Sequence, residues 1–428
     1  MENQEHAKSG AKSDTRKKPY NLQILWLSFL FFATGLVLLL TAMAVSVTAL
    51  PGLVRETLRA QQGLLLAHLL LPGFATMVAM GASFQITQVI LNARLFSRTL
   101  GFIQYGLCLS GLLLLLAGFV TEPTWIAFGG GCITLGGLLY AFNLVATWVR
   151  QKAWNLFTFG VGLSLLALLA NLSLGTAMGI GWRQGWSAER QEALFYDHLW
   201  FGVGGWLAGL ILVYSFKLLP MFYVSRKKWN ASSFGIVGLF HCGIWLQALA
   251  PWNGARWVSV LADLLLLAAW GWFIVHIRDI PKLSRGRQPV GAVRVAYALL
   301  PMVGGGFLVR CVLQWAGLGS ARLDETLVAG IVLGWFAPSI LGYLSKILPF
   351  LWWAHRFHGK WAKKQVVSLA DMLPERRLTR ELCGYLGGVA VMLAGYGGNV
   401  PFVAAAGQAV ALAFTLVFLA ELTRVFRY

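Results

Sequence analysis

The sequence predicts an all-α, polytopic membrane protein with twelve transmembrane helices. Of its 428 residues, 58% are hydrophobic and only 12% are charged, whereas soluble domains carry about 25% charged residues. Apolar runs of about 20 residues, the length that crosses a hydrocarbon core, recur along the whole chain. This composition excludes a water-soluble enzyme, a disordered chain and a disulfide scaffold.

The predicted spans follow one another through polar connections. They begin near residues 24, 64, 98, 124, 154, 197, 233, 257, 291, 326, 380 and 401. The first run is long for a signal sequence and has no small-residue cleavage pattern, so we assign it as the first span. Residues 1–20 have the composition of a disordered cytoplasmic tail, and residues 21–428 are expected to form one transmembrane domain. Residues 183–197 are predicted to be a polar loop.

The basic residues alternate between the two sides of the predicted membrane. Of 35 Lys and Arg residues, 26 lie in the segments on the side of the N-terminal tail, six lie in the opposite loops, and three lie within spans. By the positive-inside rule, both termini are therefore expected to be cytoplasmic. The net charge of +19 then reflects topology and attraction to the lipid bilayer, and we expect no nucleic-acid partner.

One pattern occurs three times, in spans two, six and ten. Each copy has a Gly-aromatic pair followed, after ten residues, by a four-residue exit: Gly73-Phe74 with 85–88, Gly205-Trp206 with 217–220, and Gly334-Trp335 with 346–349. The copies are 132 and 129 residues apart, which is four spans each time. Repeats of one orientation predict three four-helix arcs, at about 24–150, 154–278 and 291–428, with pseudo-threefold symmetry about an axis along the membrane normal.

Twelve helices in three such arcs, with the Gly-aromatic pairs and the Leu-Pro exits at 219–220 and 348–349, resemble the catalytic subunit (subunit I) of the haem-copper oxidases. The resemblance is nearest to the C-type and nitric oxide reductase branch and covers residues 20–428. It implies a bacterial cytoplasmic (inner) membrane location, haem and copper cofactors, and a membrane or respiratory partner subunit. The chain has no C-x-x-C-H motif, so electrons would have to enter from another protein.

His68 stands five residues before Gly73, where the resemblance implies a low-spin haem ligand. The alternative is a histidine that forms a hydrogen bond at the helix end without binding a cofactor. The same count from Gly334 reaches Ala329, so the usual second ligand is missing. His68 could then hold a b-type haem only with a substitute ligand. The candidates are His198, His241, Met77 and Met80.

The ligands of the family's oxygen-reducing centre are missing as well. Trp200 stands where a copper-ligand histidine is expected, and 251–253 replace the histidine pair of span seven. The chain therefore resembles a degenerate member of the family, and we expect it not to be a functional oxygen or nitric oxide reductase. Whether copper binds is left open by the sequence, which offers no catalytic residue.

Two intramembrane charges provide a further candidate site. Asp263 and Arg310 lie about seven residues inside the same predicted face, in spans eight and nine, so they are expected to form an ion pair. Alternatively, Arg310 faces an anionic group such as a haem propionate or a substrate carboxylate. Lys217 and Lys346 precede the exit prolines and are expected to extend to the cytoplasmic interface.

Two functions follow from these observations. In the first, the protein binds haem or copper for handling or sensing, without oxygen turnover. In the second, it is a transporter or accessory subunit that kept the scaffold without a cofactor, with Asp263 and Arg310 lining a path. Bound haem would distinguish the first from the second.

Overall fold

The computed structural model describes residues 22–285, 291–357, 367–369 and 371–428. These residues form twelve long helices and no strand, apart from one isolated bridge between Ser225 and Ser284. The predicted tail, residues 1–20, lies outside the described residues. In chain order the helices are α1 (Leu22–Arg55), α2 (Gln61–Leu91), α3 (Arg98–Val120), α4 (Pro123–Gln151), α5 (Leu156–Gln184), α6 (Ala188–Phe222), α7 (Ala231–Asn253), α8 (Arg256–Ile277), α9 (Ala292–Trp315), α10 (Ala321–Phe357), α11 (Glu375–Gly397) and α12 (Pro401–Leu422).

Eleven of the described helices are long and apolar enough to cross a membrane. The remaining one, α11, has 23 residues, and charged residues in its first two turns lower its hydropathy. The fold is thus all-helical and compatible with a multi-pass membrane protein.

One helix boundary corrects the prediction. Helix α6 begins at Ala188, nine residues before the predicted start, so much of the segment predicted as a loop is helical. The Ser187 hydroxyl accepts a hydrogen bond from the backbone N–H of Arg190 and caps the helix. The first turns of α6 are polar, so a search for apolar runs overlooks them.

Nine of the eleven connections between successive described helices have at most eight residues, and the chain runs alternately between two ends of the bundle. We call the end with Leu22 and Tyr428 the proximal end, and the opposite end, where α1 connects to α2, the distal end. Close helix pairs depend on glycines. At Gly407 of α12, for example, an added Cβ would lie 2.7 Å from the carbonyl oxygen of Gly388 in α11, so these two backbones touch.

Helices α2, α6 and α10 each change from α-helical to π-helical winding in their distal half. The π segments are Leu69–Thr76, Trp200–Ala208 and Val332–Phe336, and each contains one of the three Gly-aromatic pairs. In α2, Pro72 lacks the N–H that regular α-helical bonding needs. The π segment of α2 contacts those of α6 and α10, so the three central helices meet where their winding is irregular.

Hydrogen bonds link the same three helices. The indole N–H of Trp206 in α6 donates to Thr76 Oγ1 in α2 over 3.0 Å. Nearer the proximal end, the hydroxyls of Ser83 and Tyr214 are hydrogen-bonded, and those of Ser215 and Tyr343 are 2.9 Å apart. These bonds connect α6 to α2 at the π segments and nearer the proximal end, and connect α6 to α10 nearer the proximal end.

Candidate functional site

A cavity of about 1010 Å³ lies in the distal half of the bundle, around the π segments of α2, α6 and α10. Its walls are mainly Leu, Ile, Val, Met and aromatic side chains, contributed by most of the helices. Ligand pockets typically measure about 300–1,000 Å³ and are mostly apolar with a few polar groups. This cavity therefore has the size and the lining of a pocket for a large, mainly apolar ligand.

Two histidines on neighbouring central helices line the cavity together. His68 lies on α2 directly before its π segment, and His198 lies on α6 two residues before its own. Their ring centroids are 6.3 Å apart and their planes differ by only 20°. The fold thus brings together two site residues that are 130 positions apart in the sequence.

Each imidazole is held by a backbone carbonyl. Nδ1 of His68 lies 2.8 Å from Leu64 O, and Nδ1 of His198 lies 2.9 Å from Asn171 O. A carbonyl oxygen only accepts, so Nδ1 carries the proton in both rings. The neutral ring then has its lone pair on Nε2, the arrangement that backbone partners impose on metal-binding histidines.

Packing fixes the two rings further. Phe119 of α3 lies 4.8 Å from the His68 ring, centroid to centroid. On the other side, a Cβ added to Gly175 of α5 would lie 2.9 Å from Cε1 of His198, so glycine provides the space that the second ring occupies. The orientation of His198 therefore depends on α5 as well as on α6.

The distance between the two histidine rings is compatible with two ligands of one metal ion. With metal–nitrogen bonds of about 2 Å, two imidazoles on opposite sides of one metal ion have ring centres roughly 6 Å apart, close to the 6.3 Å between His68 and His198. A haem supplies its own equatorial nitrogens and needs only axial side chains from the protein. No group of three or more His, Cys, Asp or Glu residues suited to a metal ion occurs in the described part of the chain.

The other substitute ligands differ in position. His241 is buried, with Nε2 3.4 Å from the Ser164 hydroxyl, and it does not line the cavity that holds the histidine pair. Met77 and Met80 do line it, further along α2, and the Met80 sulfur accepts a hydrogen bond from Gln104. Among the histidines in the described part of the chain, the structure therefore places one, His198, beside His68.

Asp263 and Arg310 lie within reach of each other, with 3.7 Å between Asp263 Oδ1 and Arg310 Nη1. A second carboxylate, Asp324 of α10, lies closer, 3.1 Å from Arg310 Nε. Asp263 also accepts hydrogen bonds from Gln247 and Trp315. Arg310 and Asp324 line the cavity, but two carboxylates already engage the guanidinium that was expected to meet either Asp263 or an external anion.

Sequence reasoning missed the participation of Asp324. The predicted tenth span began at 326, which assigned Asp324 to a loop, whereas α10 begins at Ala321. A signal was available in the sequence, because Asp324 lies at helical spacing from the apolar residues that follow it. Reasoning from sequence also missed the polar mouth of the cavity, where Arg59 Nη2 and Glu192 Oε2 form a 2.8 Å ion pair.

The two other intramembrane lysines lie near the proximal end. Lys346 forms an ion pair with Glu375 at the start of α11, and the Lys217 ammonium lies 5.5 Å from the centre of the Trp229 ring. Both side chains therefore have partners outside the cavity.

No protein-family model matches the sequence, and no curated protein matches it either.

Proposed function

We propose that this protein is a membrane-embedded haem protein in which His68 and His198 are the two axial ligands of a b-type haem. The observation that carries the proposal is the pair of nearly parallel imidazole rings, 6.3 Å apart across one wall of the cavity. A haem held by His68 and His198 would supply electron-transfer or sensing chemistry at this site.

The protein's own groups prepare this site. The carbonyls of Leu64 and Asn171 accept hydrogen bonds from the two Nδ1–H groups. These bonds fix the tautomer in which each Nε2 keeps its lone pair. Apolar walls keep water from the rings, while Arg59 and Glu192 form a polar mouth at the distal end. Haem is favoured over copper because two histidines suffice for haem, whereas protein copper sites recruit more side-chain ligands.

We further propose that the scaffold is that of a haem-copper oxidase subunit I without its oxygen-reducing centre. Support comes from the three π segments that carry the Gly-aromatic pairs, and from the hydrogen bonds of Ser83 and Ser215, which are 132 residues apart like the first two copies. The proposal includes three four-helix arcs related by a pseudo-threefold axis. Trp200 and Ala329 line the cavity where the family has metal ligands, which favours haem handling or sensing over oxygen or nitric oxide reduction.

The charge distribution supports a location in the bacterial cytoplasmic membrane with both termini in the cytoplasm. In that orientation the cavity mouth faces the periplasm. The chain has no haem-attachment motif for a cytochrome c domain, so an electron donor or acceptor would be a separate membrane or respiratory subunit.

A transporter or accessory subunit without a cofactor is the second candidate. One observation favours it: Arg310 and Asp324 place charged groups on the wall of the same large cavity. Intramembrane charges that face a cavity commonly mark a substrate path.

The test is an absorption spectrum of the detergent-purified protein, oxidised and dithionite-reduced, with iron and copper measured in the same sample. We expect a Soret band and sharp reduced α and β bands with one iron per chain. His68→Ala and His198→Ala should each abolish the low-spin spectrum. His241→Ala is the matched control, because that histidine is buried away from the cavity and its loss should leave the bands unchanged.

Carbon monoxide separates the axial roles. The wild-type protein should not bind carbon monoxide, because both imidazoles are in place. Any haem that the His198→Ala variant retains should bind carbon monoxide. If the purified protein is colourless and does not bind added haemin, the haem proposal is overturned and the cofactor-free candidate remains. A spectrum that survives both cavity substitutions would show that these two histidines are not the ligands.

A further inference from the structure

The proximal end carries a small basic pocket at the edge of the bundle, far from the histidine pair. It is lined by two arginines of the short 3-10 helix after α12, Arg424 and Arg427, and by Tyr428 and the segment Asp371–Pro374 before α11. Its volume is about 400 Å³. The pocket lies at the level where α10 ends and α11 begins. At this level the sequence changes from apolar to basic.

The charges of the pocket leave a surplus of positive charge. Glu421 accepts an ion pair from Arg424 over 2.8 Å and another from Arg377 over 3.6 Å. Arg427 has no ion pair with any described residue. Asp371 also lines the pocket, and its backbone carbonyl accepts a hydrogen bond from the Tyr428 hydroxyl. The three arginines still outnumber the two carboxylates, Glu421 and Asp371. Arg427 is therefore available to an anion from outside the described chain.

An aromatic surface adjoins the same pocket. Phe426 stands between the two arginines, is 46% exposed, and packs against Trp352 of α10 with 5.0 Å between ring centroids. Phe29 of α1 continues the contact at 6.1 Å, and Trp26 follows at 6.0 Å from Phe29. Aromatic side chains at this level are typical of the membrane interface.

We propose that this pocket binds the phosphate of an anionic phospholipid, with Arg427 as the main contact and Arg424 beside it. The acyl chains would lie along the aromatic surface of Phe426, Trp352, Phe29 and Trp26. Basic pockets between transmembrane helices bind acidic lipid headgroups in this manner, and an arginine fork matches phosphate oxygens geometrically. The site is independent of the proposed haem.

The experiment measures thermal unfolding of the full, delipidated chain in detergent at low ionic strength. Three additions are compared: phosphatidylglycerol, phosphatidylcholine with matched acyl chains, and inorganic phosphate. Bound ligand raises the melting temperature by mass action. We expect phosphatidylglycerol to raise the melting temperature of wild type more than phosphatidylcholine does, and inorganic phosphate to have little effect.

Arg427→Gln is the decisive variant, because Arg427 has no ion pair to lose and the change should not disturb folding. The variant should need about five times more phosphatidylglycerol than wild type for the same rise in melting temperature. Arg278→Gln is the matched control: that residue is an exposed arginine at the same end of the bundle, outside the pocket. It should keep the wild-type lipid dependence.

Three outcomes would overturn the proposal. Equal stabilisation by the two lipids would remove the requirement for an anionic headgroup. Equal effects of Arg427→Gln and Arg278→Gln would reduce the attraction to general surface charge. Full stabilisation by inorganic phosphate alone would identify a free anion, and not a lipid, as the ligand.

Discussion

Replacing Arg310 by methionine tests how the intramembrane charges are held. Methionine keeps an unbranched apolar stem but removes the guanidinium, which leaves Asp263 and Asp324 without their cation. Asp263 is only 6% exposed and Arg310 is 18% exposed. Removing one partner of a buried ion pair costs about 3–5 kcal/mol, so the variant should be strongly destabilised even though neither proposed haem ligand is altered.

The two carboxylates should contribute unequally. At about 4 Å and an effective dielectric constant of about 20, two opposite charges attract by about 4 kcal/mol. The 3.7 Å pair between Arg310 and the buried Asp263 is close to this case. The Asp324 carboxylate is nearer, at 3.1 Å, but it is 39% exposed, and exposed ion pairs contribute about 0.2–1 kcal/mol.

Double-mutant cycles measure both couplings. The variants are Arg310→Met, Asp263→Asn, Asp324→Asn and the two corresponding double variants, unfolded in mixed detergent micelles by titration with dodecyl sulfate. We expect a coupling free energy of about 2–4 kcal/mol for Arg310 with Asp263 and about 1 kcal/mol for Arg310 with Asp324. A larger coupling to Asp324 would refute the argument from burial, and negligible coupling to both would mean that the charges are solvated independently.

Two further predictions concern packing and pH. Gly407→Ala should lower the unfolding free energy by about 1–3 kcal/mol, because its Cβ would lie 2.8 Å from the Cα of Met392 in the α11–α12 pair. The control is Gly131→Ala, whose Cβ would have nothing within 4 Å and which should change the unfolding free energy by less than about 1 kcal/mol. Equal effects of the two variants would contradict the close approach. The hydrogen bond from Lys227 lowers the pKa of the Asp279 carboxyl below its usual 3.8, so this pair stabilises the fold above the unfolded pKa and loses the contribution as the pH falls through the folded pKa. Melting temperatures of wild type and Asp279→Asn should therefore differ at neutral pH and converge in acid, and a difference that persists below the folded pKa would rule out this linkage.

Much of the helical architecture could be predicted without coordinates. Predicted starts at 98, 124 and 401 agree with the observed helices within one residue, because apolar length is a local property of the sequence. The predicted starts of α6 and α10 were late by nine and five residues, since both helices begin with polar turns that apolar length does not detect. The eleventh helix exists, but its charged first turns keep it below the hydropathy of the others.

The candidate site could be predicted only in part. His68 was identified from its position relative to a Gly-aromatic pair, but the sequence left His198, His241, Met77 and Met80 open as second ligands. Sequence spacing could not separate them, because the choice depends on how α2 and α6 face each other across their π segments. Those segments shift the helical register by a fraction of a turn, and this shift is not written in the periodicity of apolar residues.

The sequence by itself determined that the chain is helical and membrane-compatible, and which residues repeat at four-span intervals. Length, hydropathy and spacing are properties of the linear chain and do not depend on how the helices pack. Only the tertiary structure decided which distant groups meet. It brought His198 to His68 through a glycine at 175 that makes room for the ring, and it gave Arg310 a second carboxylate in Asp324. Such contacts depend on the relative rotation of packed helices, which is a property of the whole bundle and not of any one segment.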